Sequence, residues 1–180
     1  MTSKTSKAKW VAGLAAVVMV GSAQALPLID RGGGMIYDPD RNLTWLQDWN
    51  TNGLMNWTTA NNWANNLVHG GFSDWRLPTT LQPDPTCSIQ SGGVSYGYNC
   101  TGSELGHMFN EHLGGNAFES VINQTNDTAE EIANLALFTN VQSIVYWSGT
   151  VCAPNPSFAW DFNTLVGFQA SAASSMSCMP

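Results

Sequence analysis

Gly70-Gly71-Phe72-Ser73-Asp74-Trp75-Arg76-Leu77-Pro78-Thr79 packs two aromatics, an acid, a cation and a proline into ten residues. Gly70 and Gly71 reach positive φ without a Cβ penalty, which suits the end of a preceding helix. Pro78 pushes Leu77 into an extended conformation and so favours strand or polyproline geometry over helix. In an extended chain Asp74 and Arg76 project from one face. Arg76 is one of only six cations in the chain, and its planar fork can satisfy a carboxylate and carbonyls beneath loops. Asp74, Trp75, Arg76 and Pro78 therefore read as a structural hub rather than as ligand contacts.

Upstream, Trp57, Ala60, Trp63, Ala64 and Leu67 recur at helical spacing, with Asn61, Asn62, Asn65 and Asn66 opposite. Asn56 or Thr58 can cap the start and Gly70 the end. The tryptophans on this stripe read as core rather than as a sugar platform. Met35-Ile36-Tyr37 and Leu43-Thr44-Trp45-Leu46 read as the strands of a hairpin, joined through Asp38-Pro39-Asp40-Arg41-Asn42. Asp38, Asp40 and Asn42 alternate as in a calcium loop, but the glycine and distal glutamate of such a loop are missing, so they read as solvated turn residues. Asp30-Arg31-Gly32-Gly33-Gly34 reads as a flexible lead-in.

Downstream, the spacing predicts a helix from about Ser103 to Leu113, burying Leu105, Met108, Phe109 and Leu113 and ending at Gly114-Gly115. Asp127-Thr128-Ala129-Glu130 has the pattern of a capping box before a third short helix carrying Ile132 and Leu135. Ser143 to Ser148, Phe158 to Phe162 and Leu165 to Gln169 read as strands. Ala170 to Pro180 is a small, polar tail with no predicted structure. Strands at both ends and helices between them predict an α+β fold. Its terminal strands are expected to meet in one antiparallel sheet, with two or three short helices and long loops.

Lys4, Lys7 and Lys9 precede an apolar run from Trp10 to Val20, followed by Gly21-Ser22-Ala23-Gln24-Ala25. This reads as a secretory signal peptide over residues 1–25, cleaved after Ala25, and places the protein outside the cell or on its surface. A single domain is expected over residues 26–169, followed by the tail 170–180. The mature chain keeps three arginines against thirteen acids, a net charge of −10. Such a surface repels nucleic acid and anionic membrane, and no later segment is apolar enough to span a bilayer.

Four cysteines in an exported chain point to disulfides. Cys87 and Cys100 bracket a loop rich in glycine, and a staple between them is expected; Cys152 and Cys178 are left to pair. That staple would hold Tyr96 and Tyr98 outward, where their rings could stack on a sugar or a partner. His107 stands three residues after Glu104 and four before Glu111, so the three share a helical face. Only one such Glu-x-x-His pair is present and there is no His-Glu-x-x-His pattern, so no metal site is expected. No nucleophile stands with a base, and no enzymatic activity is expected.

Leu43-Thr44-Trp45-Leu46-Gln47-Asp48, the helix with Trp57 and Ala60, and Gly71 to Thr79 together resemble the Lcl C-terminal domain family, once catalogued only as a domain of unknown function. Thr101 to Phe109, Tyr146-Trp147-Ser148-Gly149-Thr150 and Ala159-Trp160-Asp161-Phe162 continue the resemblance, in the same order, across about residues 30–168. Trp75-Arg76-Leu77-Pro78-Thr79 is also similar to formylglycine-generating-enzyme domains, and the two likenesses imply a C-type-lectin-like fold. The resemblance implies an exported bacterial adhesion or surface-recognition module, with glycan or surface protein as partner, and leaves homo-oligomers open. The namesake adhesin implies sulfated glycosaminoglycan as ligand, which the charge of −10 disfavours. Formylglycine-generating chemistry needs a close cysteine pair near the C-terminal end, and Cys152 and Cys178 do not supply one. A degenerate enzyme of that type, or an envelope component without a ligand, is the alternative. Gln82-Pro83-Asp84 matches a tripeptide of galactose-binding lectins and makes Asp84 a ligand candidate through calcium, but the Trp-Asn-Asp such lectins also use is reduced here to Asn126-Asp127. No other cofactor is implied.

Overall fold

The computed structural model of the protein describes residues 25–180. The signal peptide read over residues 1–25 lies, apart from Ala25, outside the described residues. An antiparallel meander opens the fold: β1 (Ile29–Gly32), β2 (Met35–Asp38) and β3 (Leu43–Leu46). β2 and β3 form the expected hairpin, with Met35 opposite Leu46 and Asp38 opposite Leu43. The segment read as a flexible lead-in is instead the edge strand β1, in which Ile29 pairs with Tyr37. Its side chains are all exposed, so no apolar alternation announces it; backbone pairing alone makes it a strand.

α1 (Trp57–Asn66) starts where expected, with the Asn56 side chain accepting the Thr59 N–H. It ends before Gly70, a position held glycine by φ +60°. The cysteine loop contains an unforeseen hairpin, β4 (Ile89–Ser91) and β5 (Val94–Tyr96). α2 (Glu104–His107) runs into a π-helical turn, Met108–His112, so the expected second helix changes winding halfway. α3 (Ala129–Ala136) carries its capping box one residue later than the sequence pattern suggests, between Thr128 and Glu131. Ile132 on it is exposed.

The C-terminal sheet is a second meander: β6 (Val145–Val151), β7 (Phe158–Asn163) and β8 (Phe168–Ala173). The protein is therefore α+β, with three antiparallel sheets and three α-helices among the described residues. The two chain ends do not share one sheet as expected. Both outer edges of the C-terminal sheet are already taken. Met179 lies parallel to Tyr146 along β6, and Gly97 exchanges both backbone hydrogen bonds with Gln169 of β8. An edge whose N–H and C=O groups are paired offers nothing to a further strand. β8 runs past Gln169 to Ala173, and beyond it Cys178 and Met179 are buried, so packed structure continues into the tail.

Two apolar clusters lie on either side of β6. Tyr146 belongs to one, with Ile36, Trp49, Met108, Phe109, Leu113 and Phe162; its neighbour Trp147 belongs to the other, with Met55, Ala60, Ala64 and Leu77. Adjacent strand residues face opposite ways, so β6 packs α1 on one face and Ile36 and the π-helical turn on the other. No helix among the described residues is long and apolar enough to cross a membrane.

Cys87 and Cys100 are joined by a disulfide, as expected. Cys152 and Cys178 are not: both are free and buried. Cys152 follows the last residue of β6, whereas Met179 is bonded to Val145 at its first. Roughly 15–20 Å of extended strand lies between those ends, beyond the ~7 Å Cα separation a disulfide can bridge. Burial, and then the Asp161 carboxylate, push the Cys178 thiol up to about 11, which leaves it unreactive. Closing a loop of 13 residues constrains the unfolded chain, so the double substitution Cys87→Ser/Cys100→Ser is expected to cost about 3 kcal/mol. Urea denaturation measures this, and an unchanged midpoint would show that hydrogen bonds alone hold the loop.

Candidate functional site

The hub stretch does position a site, but by different contacts from those the sequence suggests. Arg76 does not pair with Asp74. Its guanidinium grips Glu104 in bidentate fashion, at 2.7 Å and 2.8 Å, and also donates to the Leu77 carbonyl at 3.0 Å. The Thr79 N–H adds a third bond to Glu104 at 2.8 Å. Burial pushes the Glu104 carboxyl up, but the hydrogen bonds from Arg76 and Thr79 outweigh it and hold the acid below its ordinary range. The Arg76 side chain is 45% exposed, so it clamps α2 to the hub from the surface and is not buried beneath loops. Asp74 is exposed. Leu77 is buried, the Pro78 carbonyl accepts the Gly149 N–H at 2.8 Å, and the Trp75 indole donates to the His69 carbonyl at 3.3 Å.

A cleft of about 380 Å³ opens beside this clamp, between β3, α1 and residues 72–78, and reaches Trp147 of β6. Its lining includes Trp45, Trp63, Phe72 and Trp75, with Arg31, Asp48, Asp74, Arg76 and Glu104 as the charged side chains. Trp45, Trp63 and Trp75 are half-buried and Phe72 is exposed. Trp63 lies on the α1 stripe, so that stripe supplies both core residues and a wall of the cleft. The indole N–H of Trp45 is shielded from solvent and has no hydrogen-bond partner. Arg31 stacks on the Tyr37 ring at 3.8 Å and donates to the Thr44 hydroxyl at 3.3 Å. Apolar ring surface with a few converging polar groups is the usual make-up of a small-ligand site.

The other sequence candidates lie away from this cleft. Asp84 is fully buried, and its carboxylate accepts from the Thr86 N–H and hydroxyl and from the Ser103 N–H. It ties the cysteine loop to the start of α2 and has no exposed oxygen to offer a ligand. Tyr98 packs on Phe118 and Phe168 at 4.3 Å and 4.9 Å between ring centres. Tyr96 is half-buried opposite Ile89 in the β4–β5 hairpin. Neither tyrosine lines the cleft.

Sequence reasoning missed a second grouping. The turn after β2 and the π-helical turn bring Asp38, Asp40, His107 and His112 together, so that one donor atom from each falls within 4.8 Å of the others. Glu104 and Glu111, the expected companions of His107, are absent from it: Glu104 holds Arg76 and Glu111 is exposed. Asn42 is also elsewhere, accepting the Tyr37 hydroxyl at 2.9 Å. Burial, the Arg41 cation and His112 push the His107 imidazole down to about 4, which leaves it neutral at neutral pH.

No protein-family model, no curated protein and no solved structure matches this chain.

Proposed function

We propose that the chain is an exported, non-enzymatic recognition module of the Lcl C-terminal domain family, built on a C-type-lectin-like scaffold, and that its cleft binds neutral glycan. The partially exposed rings of Trp45, Trp63 and Trp75 can cover the C–H faces of a sugar. Arg76 and Asp74 beside them can reach hydroxyl groups. The observation that carries the reading is the set of part-exposed rings Trp45, Trp63 and Trp75 gathered along one cleft beside Asp74 and Arg76. With Arg76 held by Glu104, and Asp48 and Asp74 also in the lining, the cleft is poorly suited to a sulfated chain.

A panel of neutral and sulfated oligosaccharides, titrated with and without added calcium, tests this. Neutral sugar should bind, and calcium should not alter the affinity. Trp75→Ala is expected to weaken binding about tenfold, near 1.4 kcal/mol, while leaving the far-ultraviolet spectrum unchanged. Undiminished affinity in Trp75→Ala would remove the cleft as the binding site. Salt-sensitive capture of heparin alone would replace neutral glycan with the polyanion of the namesake adhesin.

A further inference from the structure

We propose that Asp38, Asp40, His107 and His112 bind one divalent cation of the zinc class, an inference independent of the glycan cleft. Asp38 ends β2 and Asp40 lies in the turn that follows; His107 ends α2 and His112 ends the π-helical turn. His112 Nε2 lies 3.2 Å from Asp38 Oδ1 and 3.7 Å from Asp40 Oδ2, and His107 Nε2 lies 3.9 Å from Asp40 Oδ2. A tetrahedral ion with bonds of about 2.0–2.1 Å holds its donors roughly 3.3 Å apart. The His112–Asp38 separation matches that figure, and the other two exceed it by roughly 0.4–0.6 Å, a small closure about a bound ion.

The second observation is what these groups lack. Asp38 and His112 are fully buried. Asp38 Oδ2, His107 Nε2 and both ring nitrogens of His112 have no hydrogen-bond partner, and they are four of the eight such buried side-chain atoms among the described residues. His112 Nε2 and Asp38 Oδ1 stand 3.2 Å apart, and a hydrogen bond between them would still leave Asp38 Oδ2, His107 Nε2 and His112 Nδ1 without partners. Donor atoms crowded together and short of partners can share one centre. Leaving them dry is expensive, and an ion satisfies several at once.

The donor types select the ion. Two imidazole nitrogens and two carboxylate oxygens suit zinc and its neighbours, whereas calcium and magnesium take oxygen shells. Two carboxylate ligands balance the charge of a divalent ion. Backbone donors fix the acids from outside: the Arg41 N–H reaches Asp38 Oδ1 at 3.0 Å and the Leu26 N–H reaches Asp40 Oδ2 at 2.9 Å. Such outer contacts orient metal ligands. The Arg41 guanidinium is held by the carbonyls of Thr101 and Gly102.

The winding matters as much as the residues. On an α-helix, side chains five apart stand roughly 140° from each other. The turn at Met108–His112 closes instead with the Leu113 N–H on the Met108 carbonyl, an i→i+5 bond. That wider turn sets the His107 and His112 rings 5.0 Å apart, edge to face. Single π-helical turns inside α-helices recur at functional sites. A metal here would clamp the N-terminal hairpin to the helix that also carries Glu104, and so would brace one wall of the cleft.

The test uses the full chain recovered from an exporting host, stripped with chelator, reloaded with zinc and dialysed. Elemental analysis should find one equivalent of zinc retained. The melting temperature should rise with zinc and not with calcium, and cobalt(II) should give the visible absorption of a tetrahedral site. His112→Ala can fail by misfolding, so Asp40→Asn, near the surface, and His107→Gln are the deciding variants. Each should fold and bind zinc at least tenfold more weakly. No retained zinc and no thermal shift at tenfold molar excess would overturn the site, as would equal retention by the Asp40→Asn/His107→Gln double variant. No readout involves glycan, so failure here leaves the cleft reading intact, and the reverse.

Discussion

Trp147→Ala is expected to lower the stability of the protein by about 3–5 kcal/mol, the range for removing a large aromatic from a packed core. The Trp147 side chain is wholly buried, among Met55, Ala60, Ala64 and Leu77. Its indole N–H donates to the Met55 carbonyl at 2.9 Å, and its backbone N–H donates to the Met179 carbonyl at 2.8 Å. One residue thus joins β6 to the segment before α1 and to the C-terminal tail. Truncation would leave a cavity bounded by α1 and the sheet, neither of which can collapse without breaking its own hydrogen bonds. Trp147 also lines the cleft, so the cavity would open into the proposed binding site. Trp147→Phe keeps most of the apolar volume, and the Met55 carbonyl still receives the Cys178 N–H at 3.0 Å, so a loss of only about 1–2 kcal/mol is expected there. Urea denaturation of the three proteins decides it. A loss below about 1 kcal/mol for Trp147→Ala would mean that the second cluster does not hold α1 to the sheet.

The second large effect depends on pH. Asp161 sits in the central strand β7, paired with Trp147 on one side and Ala170 on the other, and is 4% exposed. Burial pushes its carboxyl up to about 7, from an ordinary 3.8. The folded state therefore holds a proton that the unfolded chain has already released between about pH 4 and pH 7. Stability attributable to Asp161 is full below pH 4, falls as pH rises through 7, and is flat above. Each tenfold change in proton affinity is worth about 1.36 kcal/mol, so the penalty at pH 8 reaches up to about 4 kcal/mol. Asp161→Asn removes the ionisation while keeping the shape. Its advantage over the wild type should be large at pH 8 and should shrink by several kcal/mol at pH 4.5. Other titrating groups, His107 among them, cancel in the difference. Parallel pH profiles of the two proteins would show that Asp161 stays charged in the fold.

Much of the local structure was legible in the residues. Asn56 caps α1, a threonine-glutamate box opens α3, and Asp38 to Asn42 turns between two strands. The Cys87–Cys100 staple could be read from its glycine-rich loop. The apolar runs around Tyr146, Trp160 and Phe168 are strands, although β6 and β8 extend further than the runs suggest. Each of these is settled within a dozen or so residues, because the groups that satisfy the backbone or bury the side chain are close in sequence.

The site was much less legible. Asp74 was the nearest acid to Arg76 in sequence, but Glu104 is its partner from 28 residues away. Trp63 looked like core and does pack against the second apolar cluster, but it also lines a cleft that no local pattern announced. The Asp38–Asp40 pair and the two histidines each looked ordinary alone. They form a cluster only because the β2–β3 turn packs against a helix whose winding changes at Met108. Composition and spacing by themselves determined the α+β class, the helix caps, the turn chemistry and the disulfide. Tertiary structure alone decided the separation of the sheets, the clamp on Glu104, the cleft and the histidine–aspartate cluster. Each of those depends on contacts between segments tens of residues apart, and no local pattern in the chain encodes which distant segment arrives.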